Sequence, residues 1–325
     1  MLKLLQKRLV YESANLKMAK PTFRATPSQV QVPATSANLG PGFDSLGLAL
    51  QMHDKYVARV IDEPGLDIDV IGEGADNLPR NEKNLLVKAM FAGFDYIGGR
   101  PRGIALRAKN VIPHGRGLGS SASAIVGGLA LARSLVLGGD EKLTNEVMLQ
   151  LATNLEGHPD NVAAAIYGGA TVAWQENQHG KLVAQAISLS VDHRISALAF
   201  IPETAVSTAK ARRLLPETIP YRDAVNNSTH TALLVHALTL RPDLLFISTE
   251  DFLHQSYRQE AMPASFALLT KFRSAGVAAF ISGAGPTVLV LHTGGATEIA
   301  ELTHAAGDKF RVEEVAISAA GVLPF

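Results

Sequence analysis

The chain has 325 residues, 47% of them hydrophobic and 18% charged, which exceeds one typical domain and suits two with ample core material. Thirty Lys and Arg match thirty Asp and Glu, so no basic surplus is left for a nucleic-acid backbone, and the absence of cysteine excludes disulfides, thiolate metal sites and a Cys nucleophile. Arg133 interrupts the longest apolar run, Ala124 to Leu137, and the ten histidines show no helical ligand spacing, so neither a membrane span nor a His-built metal site is expected.

The first 26 residues stand apart. "MLKLLQKRLVYESANLKMAK" carries five Lys or Arg against one Glu, with Leu2, Leu5 and Leu9 at helical spacing. The apolar core and small-residue cleavage site of a signal peptide are missing. A targeting or membrane-surface helix is one reading; we favour a flexible extension over residues 1–26, with Met18 a candidate start.

From Gln29 the texture changes. "VQVPATSANLGPGFDSLGLAL" reads as a strand, a Gly/Pro-rich loop and a second apolar segment. "KYVARVI" and "LDIDVIG" alternate as half-buried strands do. "NLLVKAMFAGFDYIG" has helical spacing at Leu86, Met90 and Phe94, and "GIALRAKNVI" reads as a strand entering Pro113. A helix follows to about Leu137. "NEVMLQLATNLEG" is another, ended by Gly157 and Pro159. "GGATVAW" returns to strand. Near residue 190 a second half begins. "ISALAFIP" is a buried strand and "STAKARRLLP" a short helix capped by Ser207 or Thr208. "NSTHTALLVHALTL" is helical up to Arg241 and Pro242, and "GVAAFISGAGPTVLVLH" reads as strand, glycine turn, strand. The mixed order predicts an α+β protein.

Four stretches hold candidate chemistry. In "PHGRGLGSSASAIVGGLALA", Gly115, Gly117 and Gly119 allow close backbone approach, and the helix N-terminus behind them suits an anion. The pattern is neither G-x-x-x-x-G-K-[ST] nor G-x-G-x-x-G. A glycine turn before a tightly packed helix is the competing reading. "SANLGPGFDSLGLAL" brings Asn38, Asp44 and Ser45 onto a turn-rich loop. "EGHPDN" gathers Glu156, His158, Asp160 and Asn161, which could hold a hard cation or steer a hydroxyl, or simply cap a helix. "ISGAGPTVLVL" alone is a hairpin turn.

Together, "VPATSANLGPGFDSLGLAL", "PHGRGLGSSASAIVGGLALA" and "ISGAGPTVLVL" resemble the three signature motifs of the GHMP small-molecule kinases, in the right order. "SANLGPGFDSLG" with "EGHPDN" is similar to the members of that superfamily that act on L-homoserine. The likeness runs from about Val30 to the C-terminus. It implies a two-domain fold, with a domain like the second domain of ribosomal protein S5 over 27–190 and a ferredoxin-like domain over 191–325. It further implies ATP- and Mg²⁺-dependent phosphorylation of the homoserine side-chain hydroxyl to O-phospho-L-homoserine, on the path to threonine. The partner is then a small molecule, with no nucleic acid or membrane, in the cytoplasm and often in a homodimer.

Carried over, Pro113, His114, Gly115, Arg116, Gly117, Leu118, Gly119, Ser120, Ser121, Ala122 and Ser123 wrap the triphosphate. Asn84 matches a position near the base and Ser120 one near Mg²⁺. The third-motif loop is Ser282, Gly283, Ala284 and Gly285. Positions resembling the substrate residues are Asn38, Asp44, Asn161, Thr208, Arg212 and Arg258. One carboxylate and two guanidiniums are what a zwitterion requires; Arg213 and Arg222 are nearby alternatives. Two arginines come from the second half, which predicts a site between domains. Asp44, Ser120 and Asp160 are the catalytic candidates. Asp160 is a candidate base, although the family is thought to manage without a dedicated one. Some members place a Mg²⁺-binding Glu ten residues before this Asp. Here that position is Gln150; either Glu156, four before Asp160, takes over the metal, which we favour, or Mg²⁺ is held mainly by phosphates, water and Ser120. The rival readings are another GHMP small-alcohol kinase, such as one of the mevalonate pathway, and a non-catalytic nucleotide-binding sensor.

Overall fold

The computed structural model describes residues 20–325; Leu2, Leu5, Leu9 and Met18 lie outside them. The fold is mixed α+β, built on two sheets. The first holds β1 (Ser28–Asn38), β2 (Gly42–Ile61), β3 (Gly65–Gly72), β4 (Gly103–Asn110), β5 (Ala170–Gln178) and β6 (Lys181–Leu189). β2 pairs antiparallel with β1, β4 and β5, and β3 lies parallel to β4. Over one face run α1 (Leu85–Ile97), α2 (Ser120–Leu135), the short α3 (Gly139–Lys142), α4 (Asn145–Glu156) and α5 (Asp160–Tyr167).

β2 departs from the sequence reading. "FDSLGLAL" and "KYVARVI" belong to one 20-residue strand that starts inside the expected loop. Register shifts in its pairing with β1 at Pro33/Ala34 and Ala37/Asn38 absorb the twist. Within the extension expected over 1–26, residues 22–24 are tied down. Phe23 bridges to Val136 and meets Phe94 edge to face at 5.6 Å, and the Arg24 N–H donates to the Leu135 carbonyl.

The second sheet has β7 (Ser196–Pro202), β8 (Ala279–Ile281), β9 (Val288–His292) and β10 (Phe310–Val315) in the order β10–β7–β9–β8, all antiparallel. Its helices are α6 (Thr208–Arg213), α7 (Tyr221–Thr239), α8 (Leu245–Ser248), α9 (Pro263–Ser274) and α10 (Ala296–Ala306). "ISALAFIP" is apolar throughout because both faces of β7 are covered. Ala197, Ala199 and Ile201 face one core; Leu198 and Phe200 face another.

The first of these cores joins the two sheets. Leu39, Leu46, Leu48 and Leu118 from the first half pack in it with Leu234, Phe280 and Leu289 from the second. Continuous apolar packing holds the two halves in register, and the candidate site sits on that seam. The segment after β10 crosses back: Leu50 bridges to Ile317, and β11 (Leu323–Pro324) pairs with β1 in the first sheet.

Candidate active site

The turn from β1 to β2 carries three non-glycine residues in the left-handed region, Asn38 (φ 70°), Leu39 (φ 51°) and Asp44 (φ 55°). Each costs backbone energy that surrounding contacts must offset. Leu39 is fully buried. Asn38 donates from Nδ2 to the Gly283 carbonyl at 2.9 Å and accepts the Asp44 N–H on Oδ1 at 3.0 Å. The strain aims the Asp44 carboxylate into a cavity of about 180 Å³ on the seam.

The glycine loop closes one side of that cavity. Gly117 (φ 77°) and Gly119 (φ 71°) are left-handed. A Cβ on Gly117 would overlap the Ser282 carbonyl, and one on Gly119 would overlap Thr35 Oγ1. Glycine is therefore needed twice, for φ and for space. α2 starts at Ser120 with Gly119 as N-cap and no capping side chain. The N–H groups of its first turn have no intrahelical acceptor and lie where an anion is favoured.

Of the expected nucleotide residues, Gly115, Gly117, Gly119, Ser120 and Ser121 line the cavity. Leu118, Ala122 and Ser123 do not present side chains to it; all three are buried in the core beneath. Pro113 is buried at the loop's start. Arg116 turns outward, bonding the carbonyls of His114 and Glu203. His114 and Asn84 line a second, mostly apolar cavity of about 210 Å³ that also touches Ser120 and Ser121. Its apolar lining suits a nucleobase beside an anion-binding loop. The Asn84 amide itself is engaged locally: it caps α1 through the Leu86 N–H and donates to the Pro79 carbonyl.

Beneath the loop lies a carboxylate that carries no motif. Asp54, 1% exposed, accepts the Val111 and Ile112 N–H groups on Oδ1 and the Ser123 and Tyr56 hydroxyls on Oδ2, at 2.7–3.0 Å. It pins the chain just before Pro113 and again in the first turn of α2. Burial pushes its carboxyl up, and the four donors pull the other way.

"EGHPDN" forms the cavity's far wall. Gly157, left-handed at φ 97°, ends α4, and α5 begins at Asp160 with Pro159 as N-cap, so neither Asp160 nor Asn161 is the expected cap. Glu156 Oε1 accepts the Ser121 hydroxyl at 2.6 Å, and burial raises its carboxyl above the usual range. Asp160, 1% exposed, takes the Asn161 N–H and His158 Nδ1 on one oxygen. Burial lowers the His158 imidazole, but the bond and charge of Asp160 outweigh it and the net direction is upward. Asn161 accepts from Thr35 Oγ1 at 2.8 Å. Gln150 faces elsewhere, holding the Ala184 N–H on β6 and Asn154.

The second half supplies the cations. Arg212 meets Asp44 with two bonds, at 2.5 and 3.1 Å. Arg258, 2% exposed, is the largest fully buried side chain. Both guanidiniums stand over the Phe43 ring, at 5.5 and 5.4 Å. Thr208 lines the opening, while Arg213 and Arg222 are exposed and do not reach it. The third-motif loop seals the seam: Ser282 Oγ contacts Ser36 Oγ and the Gly117 carbonyl, and Gly283, Ala284 and Gly285 line the cavity.

Two donor sets could hold a cation. Ser120, Ser121 and Glu156 lie beside the helix N-terminus. Asp44, His158 and Asp160 present ligand atoms within 4.8 Å of one another. Hard oxygen donors of the first kind suit Mg²⁺ next to phosphates.

Residues 84–169 match the family model described as GHMP kinases N terminal domain, and residues 230–306 that of GHMP kinases C terminal. A homoserine kinase of Streptomyces avermitilis is 50% identical over 310 residues, covering 94% of this chain and 99% of that one. One of Clavibacter michiganensis is 49% identical over 267 residues, 81% of this chain and 82% of that one. Among solved structures, a homoserine kinase from Cytophaga hutchinsonii superposes with a TM-score of 0.80 at 26% identity, over 96% of this chain and all of the other.

Proposed function

The chain belongs to the homoserine kinases of the GHMP kinase family, and we propose that the seam cavity is where it transfers the γ-phosphoryl group of ATP to the side-chain hydroxyl of L-homoserine. The observation that carries the placement is the convergence of Asp44, Arg212 and Arg258 within reach of the glycine loop and the α2 N-terminus. An amino acid acceptor presents an ammonium and a carboxylate at one end and a hydroxyl at the other. The acid and the two guanidiniums match the first end, and the loop lies beside the second.

In this reading the triphosphate lies against the N–H groups of the loop and of α2, with the base in the apolar cavity near Asn84 and His114. Ser120 and Glu156 would hold Mg²⁺, which supplies charge neutralisation on the transferring group. No lysine completes the loop; N–H groups and the helix terminus do that work. Arg258 and Arg212 take the homoserine carboxylate and Asp44 its ammonium, with Asn38, Asn161 and Thr208 orienting the chain. Transfer through a loose transition state asks chiefly for positioning, so Asp160 is assigned to holding His158 and the start of α5 beside the hydroxyl. The cysteine-free composition accords with a cytoplasmic enzyme. No described helix is long and apolar enough to cross a membrane.

ADP release with L-homoserine, L-serine, L-threonine and mevalonate, with and without Mg²⁺, tests the assignment. Homoserine should give the highest kcat/KM, and only with the metal. Mevalonate outperforming it would favour the other small-alcohol reading; ATP binding with turnover of none would favour a sensor.

A further inference from the structure

His254 belongs to no motif, yet it is fully buried between the first-motif turn and the substrate arginine. Its Nε2 lies 2.8 Å from the Gly40 carbonyl, and its Nδ1 lies 3.0 Å from Arg258 Nη1. A carbonyl only accepts and a guanidinium only donates. The ring must therefore carry its one proton on Nε2 and turn a bare Nδ1 to the arginine. We propose that His254, locked in this tautomer by the Gly40 carbonyl, is the positioning residue that aims Arg258 into the cavity and couples it to the turn bearing Asn38 and Asp44.

The surroundings of Arg258 support this. Its bonds go to His254 and, at 3.3 Å, to the Gly283 carbonyl, both neutral, and its Nε has no partner. Burial, reinforced by Arg212, lowers its guanidinium to about 10. A buried cation held only by neutral acceptors leaves its charge for an incoming anion. Asp251 and Asp44 partly offset that burial through their charge, but neither makes a hydrogen bond to Arg258. The Asp251 carboxylate accepts the N–H groups of Leu253, His254 and Gln255, which shapes the turn presenting the imidazole.

The groups facing the ring come from three elements. Asp251 lies 3.5 Å from Nε2, Arg258 is four residues on, and Asp44 stands beyond Phe43, whose ring is tilted against the imidazole at 5.1 Å. Burial is the strongest influence and lowers the imidazole, Arg258 adds to it, and the two carboxylates oppose. The net direction is downward, so a second proton arrives only on the acid side of the ordinary imidazole value. A second proton, on Nδ1, would set two donors against each other and turn Arg258 away, weakening acceptor binding on the acid side.

This inference rests on Arg258 binding the homoserine carboxylate, so the experiment separates the two. KM for homoserine and for ATP are measured on the full chain from about pH 5 to pH 8 for wild type, His254→Asn, His254→Gln and Arg258→Ala. The Asn carbonyl oxygen stands near the Nδ1 position and keeps an acceptor for Arg258. The Gln amide nitrogen reaches toward Gly40 and removes that acceptor. His254→Gln should raise KM for homoserine about tenfold, while His254→Asn stays within about threefold and KM for ATP is unmoved in both. Wild-type KM for homoserine should climb toward acid pH, and the climb should vanish in His254→Asn. Equal KM in the two variants, or an acid climb that persists in His254→Asn, overturns the proposal. If His254→Asn does not fold, a wild-type KM that is flat to acid pH overturns it. If Arg258→Ala leaves KM for homoserine unchanged, the carboxylate reading fails instead.

Discussion

Asp44 and Arg212, 168 residues apart in the chain, close on one another across the seam at 2.5 and 3.1 Å. Each is about one-third exposed, so the pair contributes little to stability. In the proposed function the pair is a preformed zwitterion clamp. A ligand with an ammonium beside a carboxylate offers Asp44 and Arg212 each a second partner of opposite sign. Arg212→Lys and Asp44→Asn should each raise KM for homoserine about ten- to a hundredfold and shift the melting temperature by only a few degrees. Unchanged KM in both would remove the clamp from the acceptor site.

Glu156 stands four residues before Asp160, with Ser121 on one oxygen. Glu156→Gln should raise the Mg²⁺ concentration for half-maximal activity about tenfold. Burial holds the Glu156 proton to higher pH than usual, so protons compete with the metal as pH falls. That acid loss of metal affinity should be weaker in the Gln variant. Identical Mg²⁺ titrations would transfer the metal to phosphates, water and Ser120.

Asp160→Asn keeps an oxygen for His158 and the Asn161 N–H while removing the charge. A positioning role predicts a fall in kcat of less than about tenfold. A fall of about a thousandfold at unchanged KM would make Asp160 the base.

Asp54 gathers four donors at a buried point. Asp54→Ala strands two N–H groups and should destabilise by about 3 kcal/mol, with a raised KM for ATP because both ends of the loop are released. Tyr56→Phe removes one bond and should cost about 1 kcal/mol. The folded state holds the Asp54 proton more tightly than the unfolded chain does, since burial raises its carboxyl. The stability this group contributes is therefore present at acid pH and lost as pH rises through its folded value. Asp54→Asn should flatten the urea midpoint over that interval; a curve parallel to wild type would show that Asp54 does not titrate there.

The three motifs were legible because glycine, proline and serine announce tight backbone geometry locally. Gly117 and Gly119 prove necessary at the spots where the pattern drew notice. The buried helpers were not. Asp54 lies 69 residues from Ser123 and His254 lies 214 from Gly40, and neither pair shares a periodicity that a linear reading can detect. Ser123 looked like a ligand group because it sits among glycines and serines, but helix phase turns it toward Asp54. Asn84 matched a nucleotide position, yet its amide is occupied by the α1 cap and the Pro79 carbonyl. The continuity of β2 through "FDSLG" escaped notice because glycines that usually break a strand here admit close neighbours: a Cβ on Gly47 would overlap the Asp160 carbonyl.

The return of the chain after β10 bears on its synthesis. β1 meets β11 only through Val30 with Pro324 and Gln31 with Leu323, and the Val322 N–H donates to the Ala165 carbonyl on α5. Emerging from a ribosome, the first sheet is complete but for one edge, and that edge arrives after the entire second sheet has been made. Until β11 is made, the Val30–Gln31 end of β1 has no partner from that strand, and an unpaired strand edge is where pairing with a neighbouring chain is favoured. β11, made after the second sheet, then covers the Val30–Gln31 end of that edge and ties the second sheet back to the first.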